Sequence, residues 1–381
     1  MGYDCSVEAI SRYIESGRAN NIVFMVGAGV SVSAGIPDFR TPGTGLYDNL
    51  QKYHLPRPEA IFDIEFFQEN PYPFYDLARD LLPTNFKPTP AHLFIRACAD
   101  KGILKRCYTQ NIDTLERRAG IPPELLVEAH GSFGSAHCTI CNASYSQEFF
   151  SDELLSEREG GEDARPCVRC ANNGCVGYVK PDIVFFGENL PGRYFDLRDE
   201  DLRTCDLLVV MGTSLAVTPF ANTMHLCPKS PRLLINLERV GQIDNYSNGN
   251  GFLFDRRDNF RDVEMLGPCD EAVRVLCERI GWLQDLETLG KQFDAGFSFT
   301  SSGNDNDNGN DNDNVVLLET LRSNFKRNYR KTGERTADEE DEDEDKDKDE
   351  DKDKEGNKPV LDDDSQLSPV LVAMSCSPPK D

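Results

Sequence analysis

The sequence has no apolar run of about 20 residues, the length that a helix needs to cross a bilayer. Its N-terminus also lacks the basic stretch followed by an apolar one that marks a secretory signal. We therefore expect no membrane span and no passage through the secretory route. The 13 cysteines are then expected to be thiols of a reducing compartment, used for metal binding or packing. An obvious basic import signal is missing too, so we expect a cytoplasmic protein and leave a nuclear pool open.

Basic charge is also scarce, since 41 Lys and Arg face 66 Asp and Glu, for a net charge of −25. Much of this charge is local: residues 334–355 hold 15 acidic and 5 basic side chains, and residues 304–314 add four aspartates. The remainder is only moderately acidic, which argues against direct nucleic-acid binding. Asn/Asp repeats and acidic runs replace periodic hydrophobicity near the C-terminus, so we predict a disordered acidic tail over residues 291–381.

A third glycine is missing from an otherwise familiar motif. Gly27 and Gly29 follow the apolar run Ile22–Val26, which reads as a buried strand, but Val32 stands where the common GxGxxG pattern has its last glycine. Small residues between a strand and a helix N-terminus let backbone N–H groups approach a phosphate. The sequence therefore predicts a dinucleotide site that differs from that of hydride-transfer enzymes. The segment 35–40 could fold over the bound nucleotide.

Further apolar runs at residues 103–108, 207–211 and 233–235 alternate with helical material, and a helix is predicted over residues 7–14. This alternation predicts an α/β fold with a Rossmann-like, doubly wound parallel sheet. Short polar motifs come directly after the predicted strands, and ligands bind at the carboxyl ends of such strands. We expect one crevice to collect these motifs: residues 110–113, 212–214 and 236–238.

Two insertions interrupt the sheet and predict a smaller domain. Residues 48–98 are rich in Phe, Tyr and Pro and predict a helical module, and residues 137–175 predict a cysteine-rich module. The predicted catalytic domain covers residues 1–290, and the parts assigned to its sheet are 1–47, 99–136 and 176–290.

Five cysteines in the second insertion have the spacing of metal ligands. Cys138-x-x-Cys141 is followed about thirty residues later by Cys167-x-x-Cys170 and then by Cys175. Two such pairs predict one closed, structural Zn²⁺ ion on four thiolates, without an open position for catalysis. Cys138, Cys141, Cys170 and Cys175 are the predicted ligands, with Cys167 as the alternative to Cys170.

Six motifs occur together and in a fixed order: GAGxSxxxGIPDFR, TQNIDTLE, EAHGS, the cysteine pairs, KPDIVFFGE and GTSLxVxPF. In this combination, over about residues 7–286, the chain resembles the sirtuin family of NAD-dependent protein deacylases. Residues 38–56 are most similar to its cytoplasmic type 2 branch. The predicted tail lies outside the resemblance.

The resemblance implies a role for individual residues. His130 would be the general base and Asn111 its catalytic partner at the ribose. The substrate peptide and acyl-lysine channel would be framed by Val184, Phe185, Gly187 and Glu188. NAD, consumed as a co-substrate, would be bound by Ala28, Gly29, Val30, Ser31, Val32, Asp38, Phe39, Arg40, Gln110, Asn111, Ile112, Asp113, Gly212, Thr213, Ser214, Asn236, Leu237, Glu238 and Cys269.

The implied activity is NAD-dependent protein-lysine deacetylation, which transfers the acetyl group to ADP-ribose and releases nicotinamide. Acetylated proteins, tubulin- or histone-like by the resemblance, are the expected partners. Relatives that accept acidic acyl groups carry Tyr and Arg three residues apart. Here Tyr75 is followed by Ala78, with Arg79 one position on, so we expect acetyl and longer apolar groups. Two enzymatic alternatives remain, long-chain deacylation and mono-ADP-ribosyl transfer. The non-enzymatic alternative is an acidic scaffold for basic partners such as histones.

Overall fold

The computed structural model describes residues 4–36, 46, 50–82, 86–156, 166–227, 229–242 and 251–300, the last seven by backbone alone. Contacts divide the chain into two units, Met1–Leu321 and Arg322–Asp381, and every described residue belongs to the first. The helices are α1 Val7–Glu15, α2 Ile64–Glu69, α3 Tyr72–Leu81, α4 Pro90–Asp100, α5 Leu115–Arg118, α6 Gln147–Leu155, α7 Gly192–Thr204, α8 Cys269–Arg279 and α9 Leu283–Thr300. The strands are β1 Ile22–Val26, β2 Leu104–Thr109, β3 Leu126–Glu128, β4 Gly131–Cys138, β5 Ser144–Ser146, β6 Val179–Ile183, β7 Leu207–Met211, β8 Arg232–Asn236 and β9 Asp262–Leu266.

The larger sheet is parallel throughout and has the order β3-β2-β1-β7-β8-β9. Renumbered within the sheet, this is the 3-2-1-4-5-6 order of dinucleotide-binding folds. The prediction of a Rossmann-like parallel sheet is confirmed. Strands β3 and β9 were not predicted, because β3 has only three residues and β9 begins with a charged side chain, Asp262.

Both faces of this sheet are covered. Along β1, Ile22, Phe24 and Val26 pack into one apolar cluster with α1, α4 and α8, whereas Val23 and Met25 pack into another with α7. The alternation follows from the period of two residues along a strand. Helix α4 was predicted within the helical module of residues 48–98, but it packs here instead. The apolar residues of α4 indicate that the helix is buried. They do not indicate whether it packs on the parallel sheet or in the smaller domain.

A second sheet is antiparallel and has the order β5-β4-β6. It shares one apolar cluster with helices α2, α3 and α6, whose members include Phe67, Tyr75 and Phe150. The predicted smaller domain, made of a cysteine-rich and a helical module, is therefore one packed body. Strands β4 and β6 belong to it, so the boundaries of its cysteine-rich part differ from 137 and 175: this part starts at Gly131 and continues to Ile183.

Helix α9 continues to Thr300, beyond the predicted start of the tail at residue 291. Its extension has a packing reason, because Leu286 is buried and Leu289 and Phe293 pack against the main core at helical spacing. The predicted disorder of residues 301–381 concerns residues outside the described part of the chain. Among the described helices, none is both long and apolar enough to span a membrane.

Candidate functional site

The glycine motif meets the opposite half of the sheet at the strand ends. The N–H of Gly29 donates to the carbonyl of Gly212 at 2.8 Å, and the N–H of Gly27 donates to that of Met211. A Cβ on Gly29 would lie 2.7 Å from the Cα of Gly212, which itself has a φ of +61°. The glycines are thus required for two loops to touch, a reason beyond the phosphate approach that the sequence suggested. The contact places residues 28–32 beside Gly212 and Thr213.

A chain of polar contacts runs along the edge of the sheet. Asn111, which is buried, directs its Nδ2 toward the carbonyl of Gly27 at 3.2 Å and the hydroxyl of Ser31 at 3.3 Å. The Ser31 hydroxyl donates to Asp113 Oδ2 at 2.6 Å. On the other side, the amide of Gln110 donates to Thr213 Oγ1 at 2.7 Å. Residues from three separate sequence motifs therefore meet in one place.

His130 follows β3 at the same edge. Its Nδ1 lies 3.0 Å from the carbonyl oxygen of Gln110. A carbonyl only accepts, so Nδ1 carries the proton and Nε2 keeps a lone pair. Burial lowers the pKa of His130, whereas the hydrogen bond to Gln110 raises it by less. The ring packs against Phe220, with 6.1 Å between centroids. The imidazole is therefore held neutral with one basic nitrogen.

A small cleft next to Asn111 has a polar end and apolar walls. Its lining consists of Ala28, Ser31, Ile36, Leu46, Asp80, Leu81, Phe86, Asn111, Ile112 and Asp113. The cleft has a volume of about 60 Å³, with apolar walls and amide and carboxylate groups at one end. Asp38, Phe39 and Arg40, predicted to cover the nucleotide, lie outside the described residues.

The remaining predicted cofactor residues line the far half of the edge. Asn236 is buried at the end of β8, and its Nδ2 donates to the carbonyl of Glu238 at 2.8 Å. Leu237 is two-thirds exposed, and Ser214 and Glu238 are exposed as well. Cys269 is buried at the start of α8, with its thiol directed at the carbonyl of Ile235. These positions extend the site across the order reversal between β1 and β7, where dinucleotides bind in such folds.

A buried acid behind the site escaped the sequence reasoning. Glu116 is almost fully buried and accepts a hydrogen bond from Thr109 at 2.6 Å. Burial and the neighbouring Asp113 raise its pKa to about 8. His92, whose Nε2 has no hydrogen-bond partner among the described residues, lies close to both carboxylates. The available signal was weak, since Glu116 is one of two acids in the mostly polar TQNIDTLE motif.

The predicted substrate segment is hydrogen-bonded to His130. The N–H of Val184 donates to the carbonyl of His130 at 2.8 Å. Their approach needs Gly131, which has a φ of +67° and whose added Cβ would lie 1.7 Å from a carbonyl oxygen of Asp182. Beyond Val184, Phe186 pairs with Phe62 and Ile64 through its own N–H and carbonyl.

Two of the predicted substrate residues have structural partners of their own. Glu188 accepts from the N–H of Phe185 at 2.8 Å and pairs with Lys180 at 3.0 Å. Burial lowers the pKa of Lys180. Phe185 is buried in an aromatic cluster, and Gly187 has a φ of +93°. These contacts fix the shape of the segment beside His130.

Tyr75 does not line a cleft. It is fully buried, and its hydroxyl donates to the carbonyl of Val179 at 2.7 Å, with Val168 at 3.2 Å. Ala78 is fully buried as well. The pair of positions that would recognise an acidic acyl group thus serves to pack helix α3 onto the second sheet. The expected preference against acidic acyl groups stays a prediction.

Four of the five clustered cysteines converge. The Sγ atoms of Cys138, Cys141, Cys170 and Cys175 all lie within 4.8 Å of one another, with 3.6 Å between Cys138 and Cys175 and 3.5 Å between Cys141 and Cys170. Zn–S bonds of about 2.3 Å in a tetrahedron put sulfurs about 3.8 Å apart. The cluster therefore fits one structural Zn²⁺ ion, and no position is left for an activated water.

Polar groups around the cluster support the same reading. The N–H groups of Ile140 and Cys141 point at the sulfur of Cys138, at 3.4 and 3.5 Å, and the Tyr145 hydroxyl lies 3.0 Å from that of Cys170. Such contacts orient thiolate ligands. Cys167, the alternative ligand, is buried in the apolar cluster of the smaller domain and stands apart from the four.

Taken together, a Rossmann-type sheet with a polar cleft at its order reversal and a separate four-cysteine module defines a class of dinucleotide-binding proteins with a structural zinc site. The Sir2 family profile matches residues 27–219. This chain belongs to the Sir2 family, which confirms the resemblance seen in its motifs.

Individual relatives agree over most of the chain. It is 49% identical over 296 residues to the NAD-dependent protein deacetylase sirtuin-2 of Danio rerio, a match that covers 76% of each protein. It is 49% identical over 286 residues to the NAD-dependent deacetylase sir2A of Dictyostelium discoideum, covering 75% of this chain and 54% of that one. The NAD-dependent protein deacetylase hst2 of Schizosaccharomyces pombe is 43% identical over 284 residues, with 74% and 79% covered.

Proposed function

We propose that this chain is an NAD-dependent protein-lysine deacetylase that transfers the acetyl group of acetyl-lysine to ADP-ribose and releases nicotinamide. Family membership and the deacetylase relatives support this activity over long-chain deacylation or mono-ADP-ribosyl transfer. The single observation that carries it is the imidazole of His130, hydrogen-bonded to the carbonyl of Gln110 and with a lowered pKa, at the edge of a dinucleotide-type sheet.

His130 is proposed as the general base. Its Nδ1–H is engaged by the carbonyl of Gln110, so Nε2 is the atom that would take a proton from a ribose hydroxyl. A base with a depressed pKa is unprotonated at neutral pH and ready for this transfer. Phe220 packs against the ring and limits the access of water to it.

The residues proposed for NAD divide by position. Residues 28–32 and 212–214, joined through Gly29 and Gly212, would hold the phosphates, and Asn236, Leu237, Glu238 and Cys269 the adenosine half. Asn111, Ile112 and Asp113 would hold the nicotinamide half at the cleft. Asp38, Phe39 and Arg40 are proposed from the sequence alone.

The zinc ion is proposed to hold the smaller domain together. Two of its ligands lie at and just after the C-terminal end of β4, and the other two lie in the stretch before β6, so one ion joins the connections to two strands of the antiparallel sheet. Because Val184 directly follows β6, the ion would also help to fix the position of the predicted substrate segment. A closed tetrahedral site has no catalytic part of its own.

The decisive experiment incubates the full chain with an acetylated peptide and NAD and looks for O-acetyl-ADP-ribose by mass spectrometry. We expect the product with the parent chain and its loss with His130→Ala. Competition with myristoyl and succinyl peptides separates the acyl alternatives. If zinc-loaded protein gives no product, the deacetylase assignment is wrong.

We also propose the substrates of this chain and its location in the cell. Acetylated proteins are the substrate class, with tubulin- or histone-like proteins as the first candidates, and a cytoplasmic location with a nuclear pool left open. Deacetylation assays on intact acetylated tubulin and on histones, beside fractionation of cells, would test both proposals.

A further inference from the structure

Two thiols outside the site face each other just below the surface. The Sγ atoms of Cys205 and Cys227 lie 3.7 Å apart, and the residues are 4% and 0% exposed. Thr204, next to Cys205, and Lys229, two positions after Cys227, are exposed. Neither cysteine belongs to the four-sulfur cluster or to the edge of the sheet where NAD is proposed to bind. The pair therefore calls for an explanation of its own.

The surroundings of Cys227 include two buried guanidinium groups. Arg232 makes two hydrogen bonds of 2.6 Å to Asp262, and both residues are almost fully buried. A second buried guanidinium, that of Arg261, donates to the carbonyl of Cys227 at 2.7 Å and lies 3.9 Å from the same Asp262. A thiolate on Cys227 would therefore be attracted by positive charge on the neighbouring strands.

The thiol chemistry agrees with these surroundings. The pKa of Cys227 is lowered to about 7, first by its contact with the Cys205 sulfur and further because Arg261 and Arg232 attract the thiolate. The pKa of Cys205 is raised, first by its contact with the Cys227 sulfur and then by burial. Because the thiolate is the nucleophilic form of a cysteine and Arg261 lies at Cys227, we expect Cys227 to attack first.

We propose that Cys205 and Cys227 form an oxidisable pair that a hydroperoxide converts into an intramolecular disulfide. Cys227 first releases its proton to water. The thiolate then attacks one peroxide oxygen, the O–O bond breaks, and a sulfenic acid and a hydroxide form; the hydroxide takes up the released proton and becomes water. Cys205 then attacks this sulfur, the S–O bond breaks, and a second water leaves with the thiol proton. In sum, two thiols and one hydrogen peroxide give one disulfide and two waters. The sulfurs must close by about 1.7 Å to reach the bond length of about 2.05 Å.

The bond would tie together the two ends of the segment that crosses the proposed site. Cys205 directly follows α7 and leads into β7, and Cys227 ends the 3₁₀ helix Phe220–Leu226. Between them lie Thr213, bonded to Gln110, and Phe220, packed on His130. The modification is nonetheless a property of the thiol pair and does not depend on the proposed deacetylase activity.

The sequence makes the test direct. Trypsin cleaves after Arg203 and Lys229, so both cysteines fall in one peptide, residues 204–229. Reduced, zinc-loaded full-length protein is treated with graded hydrogen peroxide up to the dose at which zinc release begins. The protein is then denatured, alkylated and digested with trypsin, and the masses of its peptides are measured by mass spectrometry. We expect this peptide to lose two hydrogens and both alkyl groups, and dithiothreitol to restore them. A peptide that remains doubly alkylated at the highest dose overturns the proposal.

The chain offers an internal control and two variants. Cys107, in peptide 107–117, is fully buried with a raised pKa and should be alkylated at every dose. With Cys205→Ala, a sulfenic acid should persist on Cys227, and dimedone should label it at least tenfold more than it labels Cys205 in the Cys227→Ala variant. Equal labelling of the two variants would overturn Cys227 as the attacking sulfur.

Discussion

At the scale of single residues, the proposed chemistry depends on one imidazole. His130 holds its Nδ1–H against Gln110, so removing the ring removes the only nitrogen placed to take a ribose proton among the described site residues. His130→Ala should lower kcat about 10²–10⁴-fold, the usual contribution of a positioned base. Product formation from an acetylated peptide measures it. His54→Ala, at an exposed position, is the matched control and should stay within about twofold.

The second prediction concerns how activity depends on pH through the protonation of His130. Burial lowers the pKa of His130 below the ordinary 6.5. The base works unprotonated, so activity should rise with pH through this lowered value and be level at neutrality. We expect the acid limb of log kcat/KM to have its midpoint below 6.5. A midpoint at or above that value would mean that the ring gains a stabilising negative partner, contrary to the structure.

Gly29 tests the contact between the two loops. A Cβ there would meet Gly212 Cα at 2.7 Å and its carbonyl oxygen at 2.8 Å, and both are backbone atoms. Gly29→Ala should therefore lower the free energy of unfolding by about 1–3 kcal/mol, measured by urea denaturation. Gly192→Ala is the control, because its Cβ would have only Asp196 at 4.0 Å and should change stability by about 0.5 kcal/mol or less. Equal stability of both variants would remove the packing argument.

At the scale of elements, the sequence predicted best where a motif is local. The strands Ile22–Val26 and Leu207–Met211 are found at their predicted bounds, because continuous apolar runs between polar segments are typical of buried parallel strands. Helix α4 and strands β4 and β6 were assigned to the wrong body. Hydrophobic spacing reports that a face is buried, whereas its partner face depends on contacts far along the chain, which one sequence does not contain.

The candidate site shows the same division. Residues 110–113 and 212–214 were placed at strand ends by reasoning that needs only short-range pattern, and the structure brings Gln110 and Thr213 into contact. The Arg232–Asp262 ion pair and the Cys205–Cys227 contact join residues 30 and 22 positions apart across separate strands and helices. No spacing rule predicts such contacts, because they follow from the order in which the strands assemble.

The cysteine module gives the prediction at this scale. Four Sγ atoms converge without Cys167, which packs in the apolar cluster. Cys170→Ala should reduce bound zinc well below one ion per chain and lower Tm, since thiolate loss opens a closed site. Cys167→Ala should keep one ion while creating a small cavity. Metal analysis by atomic emission beside thermal unfolding measures both, and zinc loss in the Cys167 variant alone would reverse the ligand assignment.

At the scale of the whole molecule, the described core and candidate site consist of residues that precede residue 301. All described site residues lie between Ala28 and Cys269, and α9 completes the main core through Leu286. Residues 301–381 hold 24 acidic and 12 basic side chains. Because the acidic side chains are in excess, this region can attract basic substrates. Salt limits the range of this attraction to about one Debye length, about 8 Å at physiological salt.

Deleting residues 301–381 separates catalysis from such attraction. For a short neutral acetylated peptide, kcat/KM should stay within about twofold, because the proposed machinery is intact. For a Lys/Arg-rich acetylated peptide at low salt, KM should rise on deletion, and the rise should vanish as added salt screens the charges. Steady-state kinetics of both chains with both peptides at two salt concentrations give the comparison. Loss of activity toward the neutral peptide would place part of the catalytic fold beyond residue 300. An unchanged KM for the basic peptide would count against the acidic scaffold hypothesis. It would mean that the acidic residues of the region 301–381 do not attract a basic substrate of the enzyme.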